Sequence, residues 1–280
     1  MTTKQRFGGP WTVEKLGILS DYIGFYATAL KKQPFDILYI DAFAGTGKIE
    51  IGDEEEFEII DGSAKLALQA DGDFAEYIFI ESKKAYADEL RALIKEEFPE
   101  KQKRVRVFQR DCNDVLLEIC DQVDWKKNRA ILFLDPYAAN VKWETLKAVA
   151  ATGAIDVWYL FPFSAANRML KKQGPIDPTW KAKLNSIFGD NSWETELYQE
   201  DPQTNLFGTT EKIKTADWNL LKTYIENQLR KLFPAVSPKS RVLMNRNNSP
   251  LFLFCFAVSN KSKTAQNLAL RGANYILNTR

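Results

Sequence analysis

The side chains able to do chemistry gather at the ends of apolar runs. Asp41 closes YID and opens the turn DAFAGTGK, which holds Gly45 and Gly47. Glu81 closes IFIE, Asp111 and Cys112 stand together in RDCND, and Asp135, Pro136 and Tyr137 form the DPY of FLDPY. Carboxylates in such places accept hydrogen bonds from ammonium, hydroxyl and amine groups. The chain contains no histidine, which excludes an imidazole base, a Ser-His-Asp triad and a histidine-held metal. What remains is chemistry by carboxylates, a tight bend and an aromatic ring.

Two ligands compete for the glycine turn, a phosphate or a cofactor of the nucleoside type. A phosphate cradle needs GxxxxGK followed by Ser or Thr; Ala42 stands at its first glycine and Ile49 follows Lys48. The dinucleotide pattern GxGxxG fails at Glu50. The stretch from Asp41 to Gly47, with Phe43 and Ala44 inside it, is therefore read as a cofactor turn at the carboxyl end of the first strand. There Gly45 and Gly47 let the backbone bend tightly and approach a ligand. Asp41 would accept from a cationic amine, Glu81 from two ribose hydroxyls, and the Asp111 side chain and Cys112 backbone would meet an adenine edge. That ligand has an amino-acid end, a ribose and a base, and lacks the phosphates an acidic wall would repel; S-adenosylmethionine fits. The alternatives are an ordinary strand-to-helix turn at Asp41 and a helix cap at Glu81. From Asp41 to Glu81 is 40 residues, about twice the usual spacing of such units. The acidic stretch GDEEEFEIIDG (52–62), within a loop expected over 49–62, accounts for the excess as a lid, an acceptor-reading loop or decoration.

FLDPY is expected at the end of the strand beside the first, where open sheets reverse their strand order and bind ligands. An aspartate and a proline carbonyl together accept the two hydrogens of an exocyclic amine, and a tyrosine ring stacks on a base. Asp135, Pro136 and Tyr137 are thus the candidate catalytic residues for amine methylation without a general base, by positioning and hydrogen bonding. The competing reading is a turn, since Asp-Pro starts many. Asn140, Asn167 and Arg168 are further polar candidates at the same rim, or backbone caps.

Positioning these residues takes a sheet. FDILYID (35–41), EYIFIE (76–81), RVRVFQRD (104–111), AILFLDPY (130–137) and IDVWYLFPF (155–163) are apolar almost throughout, as strands covered on both faces must be. Between them lie helical patterns at 63–70, 83–98, 114–120 and 143–153, and in the second Ala87, Leu90, Leu93 and Ile94 make one apolar stripe. This alternation predicts a doubly wound α/β fold. RVLMN (241–245) and LFLFCFAVS (251–259) are separated only by RNNSP, too short for a crossover, so they form an antiparallel hairpin. The expected fold is α/β, a mostly parallel Rossmann-like sheet of the class I methyltransferase kind. Its domain spans 1–163 and 241–280, with a helical insertion or small module at 164–240.

A chain of 280 residues, 45% hydrophobic, can bury a sizeable core. No run is long and apolar enough for a membrane helix and the first residues lack a signal-peptide core, so a cytoplasmic protein is expected. Cys112, Cys120 and Cys255 have no CxxC spacing and read as buried thiols. Net charge is only +1, yet residues 201–280 carry 12 basic against 4 acidic residues. That distribution leaves two readings, a scattered solvated surface or a basic face for DNA or RNA.

Several of these segments resemble the three-Cys-motif partner (TcmP) family of bacterial proteins. They are WTVEKLGILSDYIGFY, YIDAFAGTGK, DGSAKLAL, IFIES, FLDPYAANVKWETL, IDVWYLFPFSAANR and LFLFCFAVSN, which together cover most of the length. The resemblance implies a Rossmann-like sheet, an S-adenosylmethionine pocket and a three-Cys-motif protein as functional partner, and supplies no acceptor. By it Asp41, Gly45, Gly47 and Glu81 match cofactor positions, and Trp11 and Lys15 match an N-terminal segment closing over the methionine end; the alternative for those two is a helix start packed on the core. FLDPYA also resembles the Asp-Pro-Pro-Tyr signature of amino-methylating nucleic acid enzymes, with one proline in place of two.

Overall fold

A computed structural model describes residues 9–52, 57–200 and 212–280. The chain runs α1 (Pro10–Leu30), β1 (Asp36–Asp41), a ribbon of β2 (Lys48–Gly52) and β3 (Phe57–Asp61), α2 (Ser63–Gln69), β4 (Phe74–Ile80), α3 (Lys84–Glu97), β5 (Val105–Phe108), α4 (Cys112–Gln122), β6 (Asn128–Leu134), α5 (Trp143–Ala151) and β7 (Ile155–Phe161). It continues through α6 (Phe163–Met169), α7 (Pro178–Phe188), α8 (Trp193–Glu196), a ribbon of β8 (Tyr198–Glu200) and β9 (Lys212–Lys214), α9 (Trp218–Leu232), β10 (Ala235–Val236), β11 (Arg241–Met244), β12 (Pro250–Val258) and α10 (Lys263–Thr279).

The main sheet has the order β10-β12-β7-β6-β1-β4-β5, with β11 also on β12. β1 pairs in parallel with β4 and β6, as do β4 with β5 and β6 with β7. β12 is antiparallel to β7 and receives β10 and β11 on its other edge. Five parallel strands closed by an antiparallel hairpin at one edge is the class I methyltransferase layout, as the sequence leads one to expect. The hairpin register sets Val242 against Leu253 and Leu243 against Phe252.

The continuous apolar runs follow from a sheet covered on both faces. Successive side chains along a strand point to opposite faces, so each run feeds two cores. Leu38, Ile40, Leu132, Val157 and Cys255 face α4, α5, α7 and α9. Their neighbours Ile37, Tyr39, Phe133, Trp158 and Phe256 face α1, α2, α3 and α10. The buried Leu184 and Phe188 of α7 and Leu221 and Ile225 of α9 share the first core with the sheet, so much of the 164–240 stretch packs directly against it.

Where a loop was expected over 49–62, the structure has the β2–β3 ribbon, in register from Lys48 opposite Asp61 to Gly52 opposite Phe57. Ile49, Ile51, Ile59 and Ile60 supply the β-branched residues a ribbon needs; acidic letters hide the pattern. Its tip, 53–56, lies outside the described residues. The charge segregation along the sequence is partly undone in space: Arg280 bonds Asp21 at 2.7 Å, Arg241 pairs with Glu14 and Lys231 lies 3.6 Å from Asp190. No helix among the described residues is long and apolar enough to cross a membrane.

Candidate active site

The glycine turn is sewn to the strands on either side of β1. Ala42 N donates to Phe133 O (3.1 Å) and Ala44 N to Ile80 O (3.0 Å). Gly45 N donates to Glu81 Oε2 (3.1 Å), and Gly62 N to Gly47 O (2.8 Å), so the end of the β2–β3 ribbon closes back on the turn. Gly45 and Gly47 have φ of 61° and 82°, a region where an L side chain is strained. A Cβ on Gly47 would stand 3.1 Å from Leu90 and 3.2 Å from Leu93. This glycine therefore permits the close seat of α3 against the turn as well as the bend.

Asp41, at the end of β1, is fully buried. Its Oδ1 accepts from Phe43 N at 3.1 Å, while Oδ2 makes no hydrogen bond of good geometry among the described residues, although the Ser63 hydroxyl stands close enough to the carboxyl to favour its charged form. Burial pushes its carboxyl from 3.8 up to about 7; the Ser63 hydroxyl, the Phe43 amide and Lys15 oppose that rise, and Asp135 adds to it. A buried, sparsely bonded carboxyl favours a cation brought near it, because the cation stabilises its charged form. Glu81, also buried, accepts from Gly45 N with one oxygen and from Lys83 N (2.8 Å) with the other. Its first role is thus to brace the turn.

Above this frame opens a cavity of about 220 Å³ lined by Trp11, Lys15, Phe43, Ala44, Gly47, Ser63, Asp135, Pro136, Tyr137 and Phe252. Asp135 leaves the end of β6 and is 22% exposed, whereas the Lys15 side chain is only 5% exposed. Lys15 Nζ donates to Asp135 Oδ2, and the same ammonium lies 4.9 Å from the Trp11 ring centroid. The N-terminal helix thus carries its lysine to the candidate catalytic aspartate. Tyr137 is 43% exposed, with Lys83 Nζ 5.7 Å from its ring centroid. Desolvation first, then the charges of Glu81, Asp135 and Asp41, push its phenol well above the usual range, so Tyr137 stays neutral and acts as a ring and a hydrogen-bonding group.

Of the twelve candidate residues, Lys15, Phe43, Ala44, Gly47, Asp135, Pro136 and Tyr137 meet at this cavity, and Asp41, Gly45 and Glu81 form the frame beneath. Asp111 and Cys112 do not line it. Asp111 caps α4, accepting from Asn113 N at 2.9 Å. Cys112 is buried in the core beside it, its thiol pushed up to about 12 by desolvation. Asn113 escaped the sequence reading: it accepts from Lys142 N (2.9 Å) and Thr145 Oγ1 (2.8 Å) and donates to Asn140 O (3.0 Å), fixing the loop after DPY. The only signal for it was its place directly after Cys112 in RDCND.

The donor set fits S-adenosylmethionine. The turn offers Phe43, Ala44 and Gly47 along the cavity wall, the sparsely bonded Asp41 carboxyl behind that wall would favour a sulfonium or ammonium, and the aromatic rings of Trp11, Tyr137 and Phe252 offer apolar faces.

No family model matches this chain, and no curated protein sequence does. Among solved structures it is similar to a Legionella pneumophila protein of the DUF519 family model, at 11% identity over 94% of this chain and 92% of that one, with a TM-score of 0.48. It is similar to a Bacillus cereus O-methyltransferase in complex with SAH, at 13% identity over 90% of this chain and 82% of that one, with a TM-score of 0.43. A Thermotoga maritima spermidine synthase is 11% identical over 90% of this chain and 61% of its own, with a TM-score of 0.44. These likenesses are remote, and the methyltransferase-like fold rests on the strand order itself.

Proposed function

We propose that this protein is an S-adenosylmethionine-dependent methyltransferase acting on an exocyclic amine of a nucleic acid base, and that it is a three-Cys-motif partner protein working with a three-Cys-motif protein. The observation that carries the reading is the part-buried Lys15–Asp135 pair, set beside Tyr137 in one cavity that the glycine turn helps to line. When bound, S-adenosylmethionine would supply a sulfonium methyl, to whose carbon an amine lone pair would bond as the C–S electrons return to sulfur and S-adenosylhomocysteine leaves. Lys15 fixes Oδ2 of Asp135 and thereby aims Oδ1 at the acceptor. Oδ1 and the Pro136 carbonyl accept the two amine hydrogens, and the proton that the methylated nitrogen sheds after transfer passes by way of Oδ1 to solvent. Tyr137 stacks on the base, and Trp11 and Phe252, which pack at 5.1 Å between centroids, shield the cavity from water.

A second reading is favoured by one detail. Both Glu81 oxygens are engaged by backbone amides and Asp41 is closed off from solvent, as suits a module that keeps the fold and acts by docking its partner. Calorimetry with S-adenosylmethionine, followed by label transfer to RNA, DNA and protein pools with and without the partner, separates the two. Binding with transfer to nucleic acid is the expected result; binding without transfer favours the docking module.

A further inference from the structure

The carboxyl edge of the sheet carries a second cleft. β6 and β7 are parallel neighbours, so Asp135, which follows β6, and Phe163, which opens α6 after β7, leave the sheet on the same edge. Between α6 and the start of α9 lies a cleft of about 340 Å³ lined by Asn167, Leu170, Lys172, Lys214, Asp217 and Trp218. Its two lysines differ from others nearby. Lys181 and Lys231 lie 3.1 and 3.6 Å from carboxylates, whereas among the described residues neither Lys172 nor Lys214 has a carboxylate within ion-pair reach. Lys214 is partly buried and, among the described residues, its Nζ donates to the neutral Oδ1 of Asn167; burial pulls its pKa below the ordinary 10.5. An ammonium partly withdrawn from water without a counter-charge loses solvation, and an anion entering the cleft offsets that loss. The acid at the rim, Asp217, caps α9 by accepting from Leu220 N at 2.8 Å. Arg168 and Lys171 add positive charge on the segment after β7. Trp218 is 43% exposed, and one face of its ring is backed by Phe163, with centroids 5.2 Å apart and planes 28° from parallel. A held indole beside unpaired ammonium groups is the combination that binds unpaired nucleotides, by stacking and by charge.

We propose that this cleft is a docking site for one nucleotide of a single-stranded nucleic acid, its phosphate on Lys172 and Lys214 and its base on Trp218. The inference deepens the nucleic acid acceptor reading and rests on it for its purpose, but the binding itself requires no methyl donor. Lys214→Gln, Trp218→Ala and Trp218→Phe lie outside the cofactor cavity, and circular dichroism with urea unfolding of each, expected to match the unaltered chain, serves as the check on folding.

The test is fluorescence anisotropy of the full chain with short labelled single-stranded RNA and DNA, the matching duplexes and a free nucleoside monophosphate, over a series of salt concentrations. Single strands should bind more tightly than duplex or mononucleotide. Trp218→Ala should weaken binding about 5- to 150-fold while Trp218→Phe keeps most of it, and Lys214→Gln should reduce the slope of log affinity against log salt by about 0.7. No binding of any single strand, a preference for duplex, mononucleotide binding as tight as the oligonucleotide's, or binding unmoved by all three substitutions would each overturn the proposal. If single strands bind and S-adenosylmethionine does not, the docking site stands and the methyl-transfer reading falls.

Discussion

Asp41 makes the cofactor reading measurable through pH. Its carboxyl is pushed from 3.8 to about 7, chiefly by burial, with Asp135 adding to the rise and Ser63, Phe43 and Lys15 limiting it. A cationic donor in the cavity above prefers the ionised form. At pH 5.5 only about one protein in 30 carries that form, and at pH 7.5 about three in four do. The affinity for S-adenosylmethionine should therefore rise about 25-fold, or about 2 kcal/mol, between those values. The comparison stops at 7.5 because an α-amino group titrates at about 7.7–8.0. Calorimetry in buffers of differing ionisation enthalpy should show nearly one proton released per cofactor bound at pH 5.5. Asp41→Asn should bind weakly and without this slope. A flat profile in the unaltered protein, or the same slope in Asp41→Asn, would refute the role given to Asp41.

Other expectations follow from single contacts. Gly47→Ala places a Cβ against Leu90 and Leu93 at a φ of 82° and should cost about 1–3 kcal/mol in urea unfolding, with loss of cofactor binding. Lys15→Met breaks a buried pair whose partner is 22% exposed; the stability loss should be about 1–3 kcal/mol, below the range for fully buried pairs. The same change should move the Asp41 midpoint upward, since Lys15 is one of the groups holding it down. Asp156, fully buried and bonded to Tyr22 Oη at 2.7 Å, is raised from 3.8 to about 7 by desolvation. The folded state then binds more protons than the unfolded one between those values, so stability should fall as pH rises from about 4 to 7 and level off above. Asp156→Asn should remove up to about 4 kcal/mol of that dependence, read from denaturation midpoints at several pH values.

The strands were legible because burial on both faces leaves little choice of residue; IDVWYLF can only be an inner strand, and all seven of its residues are buried. The hairpin was legible because RNNSP is too short for anything else. The β2–β3 ribbon was hidden by acidic residues that outweigh its isoleucines in composition without disturbing its pairing. At the site, the chain showed which side chains carry chemistry but not how they combine. Lys15 meets Asp135 across 120 residues, and no spacing rule spans that distance. Nor did the sequence reveal that the Gly45 amide reaches Glu81, 36 residues away, so that the carboxylate expected to meet a ribose also braces the turn. Asp111 shows the reverse, since the local capping rule fits it and the structure uses it so.

The central claim is that Asp135, steadied by Lys15, directs an acceptor amine. It is tested most directly by transfer of labelled methyl from S-adenosylmethionine to nucleic acid, comparing the unaltered chain with Asp135→Ala. The account predicts label on a base amine and at least about a 100-fold loss of rate in the variant, as expected when a positioning group is removed, with cofactor affinity retained. Transfer undiminished in Asp135→Ala, or cofactor bound with no label in any acceptor pool, would contradict it.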